Sequence, residues 1–224
     1  MAFNVLSYDD AVALYKMRIA QPPINLKHLD LGFFPTPEFV AWKMIELAKI
    51  KPTDTLLEPS AGTGNLARFF PTENKATLIE TSKKLSSQIP PCENHTIINT
   101  LFEGFSILNK FDVIIMNPPF GKKCDKALSH FKKAMMHLKP DGRLVLLAPA
   151  SGTMRAGVSG RLFNPDFALR ATICFDEYLF KDVKATISTN LYIIEKKTVG
   201  GRREFQTQSE NCDELIEELR GIVL

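Results

Sequence analysis

The sequence predicts an α/β domain built on a parallel sheet with helices on both faces. Short apolar runs alternate with helical patterns along most of the chain. One of these runs, Val113-Ile114-Ile115-Met116, is apolar at every position, as in a parallel strand covered on both sides. With 224 residues, 45% of them hydrophobic and 24% charged, the chain can bury one large core without staples.

Ser7 followed by Asp10 has the form of a capping box, opening a helix that Pro22 and Pro23 end. A second helix starts with Thr36 as N-cap and Pro37 at the first helical position, then "EFVAWKMIELAKI". The predicted strands are Thr55–Leu57, Ala76–Ile79, Thr96–Ile98, Asp112–Met116, Arg143–Ala148, Ala171–Asp176 and Ile187–Glu195. Helical patterns follow Gly64, Thr81 and Asp125. "TVGGRREFQTQ" reads as a flexible joint. Beyond it, Leu215, Ile216, Leu219, Ile222 and Val223 share a helical face. That face suits docking on the chain's own domain, or a dimer or partner contact. The organisation is one domain over 1–224. Residues 1–30 form a helical extension, 31–197 the core, and 198–224 a linker and terminal helix.

No apolar run approaches the ~20 residues of a membrane span, and the first residues lack the layout of a secretory signal. Cys92, Cys124, Cys174 and Cys212 have no metal-ligand spacing, so no metal is expected, and reduced thiols in the cytoplasm are. Net charge is +3, but the last eighteen residues hold five acids and one base. The remainder has 27 basic and 20 acidic residues, which is compatible with a polyanionic partner.

"LLEPSAGTGNLA" follows the first strand. Gly62 and Gly64 let backbone approach a ligand closely, and a helix beginning there would point its N-terminus at the same place. A dinucleotide-binding turn looks much the same. Glu58 tilts the reading, because a carboxylate at this strand end attracts an ammonium group and repels a pyrophosphate. Glu80 ends the second strand, where an acid suits the two hydroxyls of a ribose. The fourth strand ends in Asn117-Pro118-Pro119-Phe120, an amide and a ring held on a turn that cannot continue the ladder.

In this order, "FFPTP", "LLEPSAGTGNLA", "LIE" and "DVIIMNPPF" resemble a class I S-adenosylmethionine-dependent methyltransferase of the N6-adenine DNA type, over about Gly32 to Lys197. The resemblance implies a seven-stranded Rossmann-like sheet and S-adenosylmethionine as cofactor. It puts Phe34, Pro35 and Thr36 at the methionine end of the cofactor, with Glu58, Ala61, Gly62 and Gly64 as the glycine motif and Glu80 as the ribose acid. Many relatives have an aspartate at the third-strand end for the cofactor's adenine. This chain reads "IINTLFEG", so Asn99, Thr100 or a backbone group would serve, and Phe102 is either a wall for that adenine or a core residue.

The chemistry fits the fourth-strand turn. The exocyclic amine of adenine is a poor nucleophile because its lone pair is delocalised into the ring. Acceptors on its N–H groups, the Asn117 side-chain oxygen and the Pro118 carbonyl, would draw it toward tetrahedral geometry. Asn117 would thus border both cofactor and base, with Pro118 and Pro119 fixing the turn and Phe120 stacking on an extruded base. Lys122, Lys123, Arg155 and Arg161 are candidate phosphate contacts, the two arginines lying on the Gly- and Ser-rich stretch Pro149 to Arg161, which reads as a mobile loop over substrate or a surface crossing. His130 and His137 lie seven apart without a third ligand, which favours a solvated or core role.

DNA is the expected acceptor, with RNA second, because Asn-Pro-Pro-Phe-Gly also occurs in ribosomal-RNA adenine enzymes. A protein glutamine-N5 methyltransferase and a non-catalytic binding module are the remaining readings. No separate recognition domain is expected. Selectivity would come from loops, the first thirty residues, a homodimer or a recognition subunit.

Overall fold

The computed structural model describes residues 6–20, 34–107, 110–158, 166–175, 179–180 and 187–197. The capping box at Ser7 forms: its hydroxyl accepts the Asp10 N–H at 3.1 Å, and the Asp10 carboxylate accepts the Ser7 N–H at 2.9 Å. The helix it opens, α1, runs Tyr8–Ile19 and buries Ala11 and Tyr15 against the next helix, α2 (Glu38–Ala48). Tyr15 meets Phe39 edge-on at 5.0 Å, and the Trp42 indole N–H donates to the Leu6 carbonyl at 3.0 Å. The N-terminal helix therefore belongs to the common core.

Seven strands form one sheet: β1 (Leu56–Glu58), β2 (Ala76–Ile79), β3 (His95–Ile98), β4 (Phe111–Met116), β5 (Leu138–Pro149), β6 (Phe167–Phe175) and β7 (Thr189–Lys196). Their order is β3-β2-β1-β4-β5-β7-β6. Val113, Ile114, Ile115 and Met116 of β4 are all buried, so the sheet is covered on both faces there. Between β1 and β4 the order of strands reverses direction. A crevice opens at such a switch point, outside the carboxyl ends of the strands.

The structure corrects the expected elements in four places. β7 runs antiparallel to both neighbours, so the sheet is mixed rather than wholly parallel. No helical pattern separates β6 from β7 in sequence, and a parallel return normally needs such a crossover. After Gly64 the chain makes only a 3-10 turn, Ala67–Phe69, because Pro71 drives Phe70 into an extended conformation. No helix N-terminus stands behind the glycine turn. α2 begins after Pro37, and the Thr36 hydroxyl does not cap it, being bonded to Asn117. Finally, α5 (Gly152–Val158) occupies a stretch read as loop, held by buried Met154 and Val158 and capped by Ser151. The remaining helices among the described residues are α3 (Lys83–Ser86) and α4 (Asp125–His137). Among the described residues no helix is long and apolar enough to cross a membrane. Pro22, Pro23, Arg161 and the linker and terminal helix lie outside them.

Candidate active site

Each strand at the switch point ends in a polar group, and the groups converge on one open groove. β1 delivers Glu58, followed by Pro59, Ser60, Ala61, Gly62 and Thr63. β2 delivers Glu80 and Thr81, and β4 delivers Asn117, Pro118 and Pro119. Phe34, Pro35 and Thr36 close one side.

The turn after β1 depends on its glycines. Gly62 and Gly64 have φ of +55° and +79°, in the left-handed region. A Cβ on Gly64 would also lie 3.0 Å from Ile89 Cγ2. Gly64 does not line the groove; its N–H closes the turn on the Ala61 carbonyl at 2.8 Å. Glu80 locks that turn to the end of β2. One carboxylate oxygen accepts the Gly62 N–H and the other the Ser82 N–H, both at 2.8 Å.

Glu58 contrasts with this. It is 2% exposed, and its Oε2 has no hydrogen-bond partner. Burial pushes its carboxyl well above the ordinary carboxylate range. The neighbouring Glu80 charge adds to that, while the Ala67 backbone N–H and Arg68 oppose it. A buried carboxyl with one oxygen left unpartnered beside a cavity is matched by a cation within hydrogen-bond reach. The ammonium group of a methionine-type ligand has that chemistry.

The Asn117 amide is oriented by its neighbours. Its Nδ2 donates to the Phe34 carbonyl at 3.0 Å and to Thr36 Oγ1 at 3.1 Å, while its Oδ1 is buried without a partner. The oxygen is thus left as an acceptor. Phe120 departs from expectation. It is 7% exposed, does not line the groove, stacks on Phe34 at 5.8 Å and meets Phe180 edge-on at 6.4 Å. The turn then runs through Gly121, Lys123 and Cys124, all at positive φ, a strained path for the two non-glycine residues.

Asn99 and Thr100 are not brought into the groove. The Asn99 amide points back to the Glu80 carbonyl at 3.0 Å and Ser86 Oγ at 2.7 Å, and the Thr100 carbonyl accepts from Thr81. Leu101, Phe102 and Glu103 take the place expected of them, facing Lys126 and His130 of α4. His130 is a lining residue missed from sequence, where only its distance from His137 was visible. Its Nε2 lies 3.1 Å from Glu103 Oε1 and its Nδ1 3.3 Å from Ser60 Oγ. The Glu103 carboxylate, which only accepts, assigns an Nε2–H donor. Burial lowers the His130 pKa, against the pull of Glu103. Glu103 is itself held below its ordinary value. Burial would raise it, but its own backbone N–H and His130 outweigh that, aided by Lys126. His137 is a core residue, bonded to the Ile107 carbonyl. Lys122, Lys123 and Arg155 are exposed and outside the groove.

Residues 54–161 match the family model described as the methyltransferase small domain. No curated protein matches the chain in sequence. Solved structures do match in fold. A candidate class I S-adenosylmethionine-dependent methyltransferase from Listeria monocytogenes is 16% identical, with a TM-score of 0.64 over 100% of this chain and 80% of that one. A candidate RNA methyltransferase from Pyrococcus horikoshii is 17% identical, with a TM-score of 0.66 over 85% and 98%. A modification subunit of a candidate type I restriction enzyme from Vibrio vulnificus is 17% identical, with a TM-score of 0.60 over 97% of this chain and 59% of that one. The fold is that of class I methyltransferases, and with the matched domain it implies S-adenosylmethionine as cofactor and methyl transfer as activity.

Proposed function

With S-adenosylmethionine-dependent methyl transfer as the premise, we propose that this protein methylates adenine N6 in DNA. The observation that carries the reading is the Asn117 amide, whose Nδ2 is held by the Phe34 carbonyl and Thr36 so that its buried Oδ1 is left to accept. An N–H of the target amine satisfies that oxygen. The Pro118 carbonyl, fixed by the two prolines, takes the second N–H. Withdrawing the lone pair from the ring in this way raises the nucleophilicity of the nitrogen, and its surplus proton passes to water afterwards.

The cofactor supplies an electrophilic methyl group on sulfur. The groove fits it on this chain's own terms. The unpartnered Oε2 of Glu58 receives the ammonium group. Each Glu80 oxygen, already fixed by one backbone N–H, has a lone pair left for a ribose hydroxyl. Glu103, held ionised by His130, lines the groove beyond the third-strand end and accepts from the adenine amine, in place of Asn99. Lys122, Lys123 and Lys126 follow the Asn117 turn and suit backbone phosphates, so binding falls steeply with added salt.

RNA is the second reading, favoured by the likeness to the candidate RNA methyltransferase, which this fold covers almost completely. The test is transfer of labelled methyl from S-adenosylmethionine to DNA, RNA and protein in parallel, followed by nucleoside analysis. N6-methyldeoxyadenosine is expected. Label only in RNA replaces the first reading with the second. Label in protein glutamine overturns both. No transfer by a protein that binds cofactor leaves a binding module.

A further inference from the structure

The Asn117 amide is held from far across the fold. Thr36, which takes its Nδ2, is itself fixed by Asn65, whose Nδ2 donates to the Thr36 carbonyl at 3.0 Å. Asn65 is 6% exposed and follows the glycine turn directly. Its own orientation is set twice. The Thr63 hydroxyl donates to its Oδ1 at 2.9 Å, and its Nδ2 also reaches Glu38 Oε1 at 3.3 Å. Glu38, 1% exposed at the start of α2, is clamped by the Arg18 Nε of α1 at 2.9 and 3.0 Å to its two oxygens. An unbroken chain of hydrogen bonds, buried at its centre, therefore runs Arg18–Glu38–Asn65–Thr36–Asn117.

We propose that Asn65 is a positioning residue for methyl transfer, anchored from α1 through Glu38, which fixes the Asn117 amide with its oxygen facing the acceptor. The proposal rests on the role given above to Asn117. An asparagine side chain can rotate by half a turn and exchange oxygen for nitrogen at almost no steric cost. Turned that way, Asn117 would present a donor to the target amine and repel its N–H groups. Thr36 Oγ1 alone does not prevent this, since a hydroxyl can accept or donate. The Phe34 carbonyl can only accept, and it selects Nδ2 as long as the segment 34–36 keeps its place against the turn. Asn65 secures that place, because it ties the Thr36 backbone to the cofactor loop. The same link couples the cofactor loop to the acceptor side of the groove.

The test uses Asn65→Leu, alone and combined with Asn117→Ala, in single-turnover methyl transfer at saturating cofactor. Asn65→Leu should lower the rate between about 10- and 100-fold, as for misplacement of a reacting group. In the Asn117→Ala background the same change should cost under about 2-fold, because the two act as one unit. Equal losses in both backgrounds overturn the proposal. A second readout is independent of turnover: hydrogen exchange of the 15N-labelled Asn117 side-chain amide, assigned by its disappearance in Asn117→Ala. Exchange should accelerate at least about 10-fold in Asn65→Leu, and unchanged exchange overturns the proposal. Should Asn65→Leu fail to fold, Thr63→Val gives the same pair of measurements, and Thr63→Ser should restore both. A parent protein that methylates no nucleic acid refutes the function proposed above, while the exchange measurement still decides the role of Asn65.

Discussion

The two halves of the groove are prepared to different degrees. On the cofactor side, both Glu80 oxygens are fixed by backbone N–H groups, and Glu58 stands buried with an oxygen that nothing satisfies. On the acceptor side, the Asn117 amide is equally well placed, but Phe120 lies covered by Phe34 and Phe180. The first half can receive its ligand as it stands. In the other half, the stacked rings must separate before a base can enter. Preorganisation without an obstacle favours affinity, whereas a covered ring subtracts from it. Cofactor should therefore bind to the free protein, and capture of the acceptor should be the step sensitive to aromatic substitutions.

The largest expected effect falls on Asn117. Asn117→Ala removes the acceptor oxygen and leaves Glu58, Glu80 and the glycine turn untouched. Cofactor affinity should stay within a small factor. Single-turnover methyl transfer should fall by at least ~100-fold, as when one preorganised hydrogen-bonding group is removed elsewhere. A folded, cofactor-binding Asn117→Ala protein that turns over at the parent rate would make the turn a mere strand ending.

Glu80→Ala should act on the cofactor half, weakening cofactor binding by about 10- to 100-fold, from hydrogen bonds to a charged group of roughly 1.5–3 kcal/mol each. Some of that loss comes from freeing the Gly62 N–H, so Gly62→Val, which forces a β-branched residue to a positive φ, should weaken binding too. Calorimetry reads both. Unchanged affinity in the pair would remove the ribose assignment.

Glu58 gives a pH signature. Its carboxyl titrates above the ordinary 4.5, so the window lies between 4.5 and its raised value. In the free protein, the protonated form is favoured by folding. That stability is fully present below 4.5 and is lost as pH rises through the raised pKa. A bound ammonium needs the carboxylate, so cofactor affinity should fall as pH drops through the same range, by up to about 10-fold per pH unit. Glu58→Gln should flatten both slopes. If the wild-type affinity is already flat there, the ammonium sits elsewhere.

The contrast between the halves also shows what could be read from the sequence. Strand ends such as Glu58, Glu80 and Asn117 were legible because each follows an apolar run and belongs to a local pattern, and local patterns survive without tertiary knowledge. The far wall was not. Ser60, Glu103 and His130 come from three segments that only the packing of α4 on the chain after β3 brings together. Asn99 failed for the same reason, since nothing local shows that its amide is taken by Glu80 and Ser86. Composition misled at α5, where Gly and Ser outweighed Met154 and Val158, the residues whose burial holds the helix. The direction of β7 rests on the lack of a helical pattern before it in sequence, which the pattern within the strand itself does not reveal.

The smallest effect, and the sharpest test of the contrast, concerns the ring pair. Phe120→Ala should weaken capture of an extruded base, since one stacking contact is worth roughly 1–3 kcal/mol, and Phe120→Trp should keep substantial activity because an aromatic face remains. Phe34→Ala distinguishes obstacle from platform. Its backbone carbonyl still holds the Asn117 amide, so the variant changes the ring alone. If the Phe34 ring covers the face that a base needs, removing it spares the cost of opening the stack, about 0.5–1.5 kcal/mol for an aromatic pair. Acceptor affinity should then tighten by a few-fold, while the transfer rate at saturating cofactor and DNA holds steady. If Phe34 is instead one wall of the base site, the same variant weakens acceptor binding, and in that case Phe34→Ala and Phe120→Ala move affinity in the same direction. Opposite signs for the two variants are the expected result, measured as acceptor dissociation constants with cofactor saturating, so that any loss at the methionine end of the groove does not enter. Matching signs would mean that both halves are equally ready for their ligands, and the contrast drawn from the covered ring would fall.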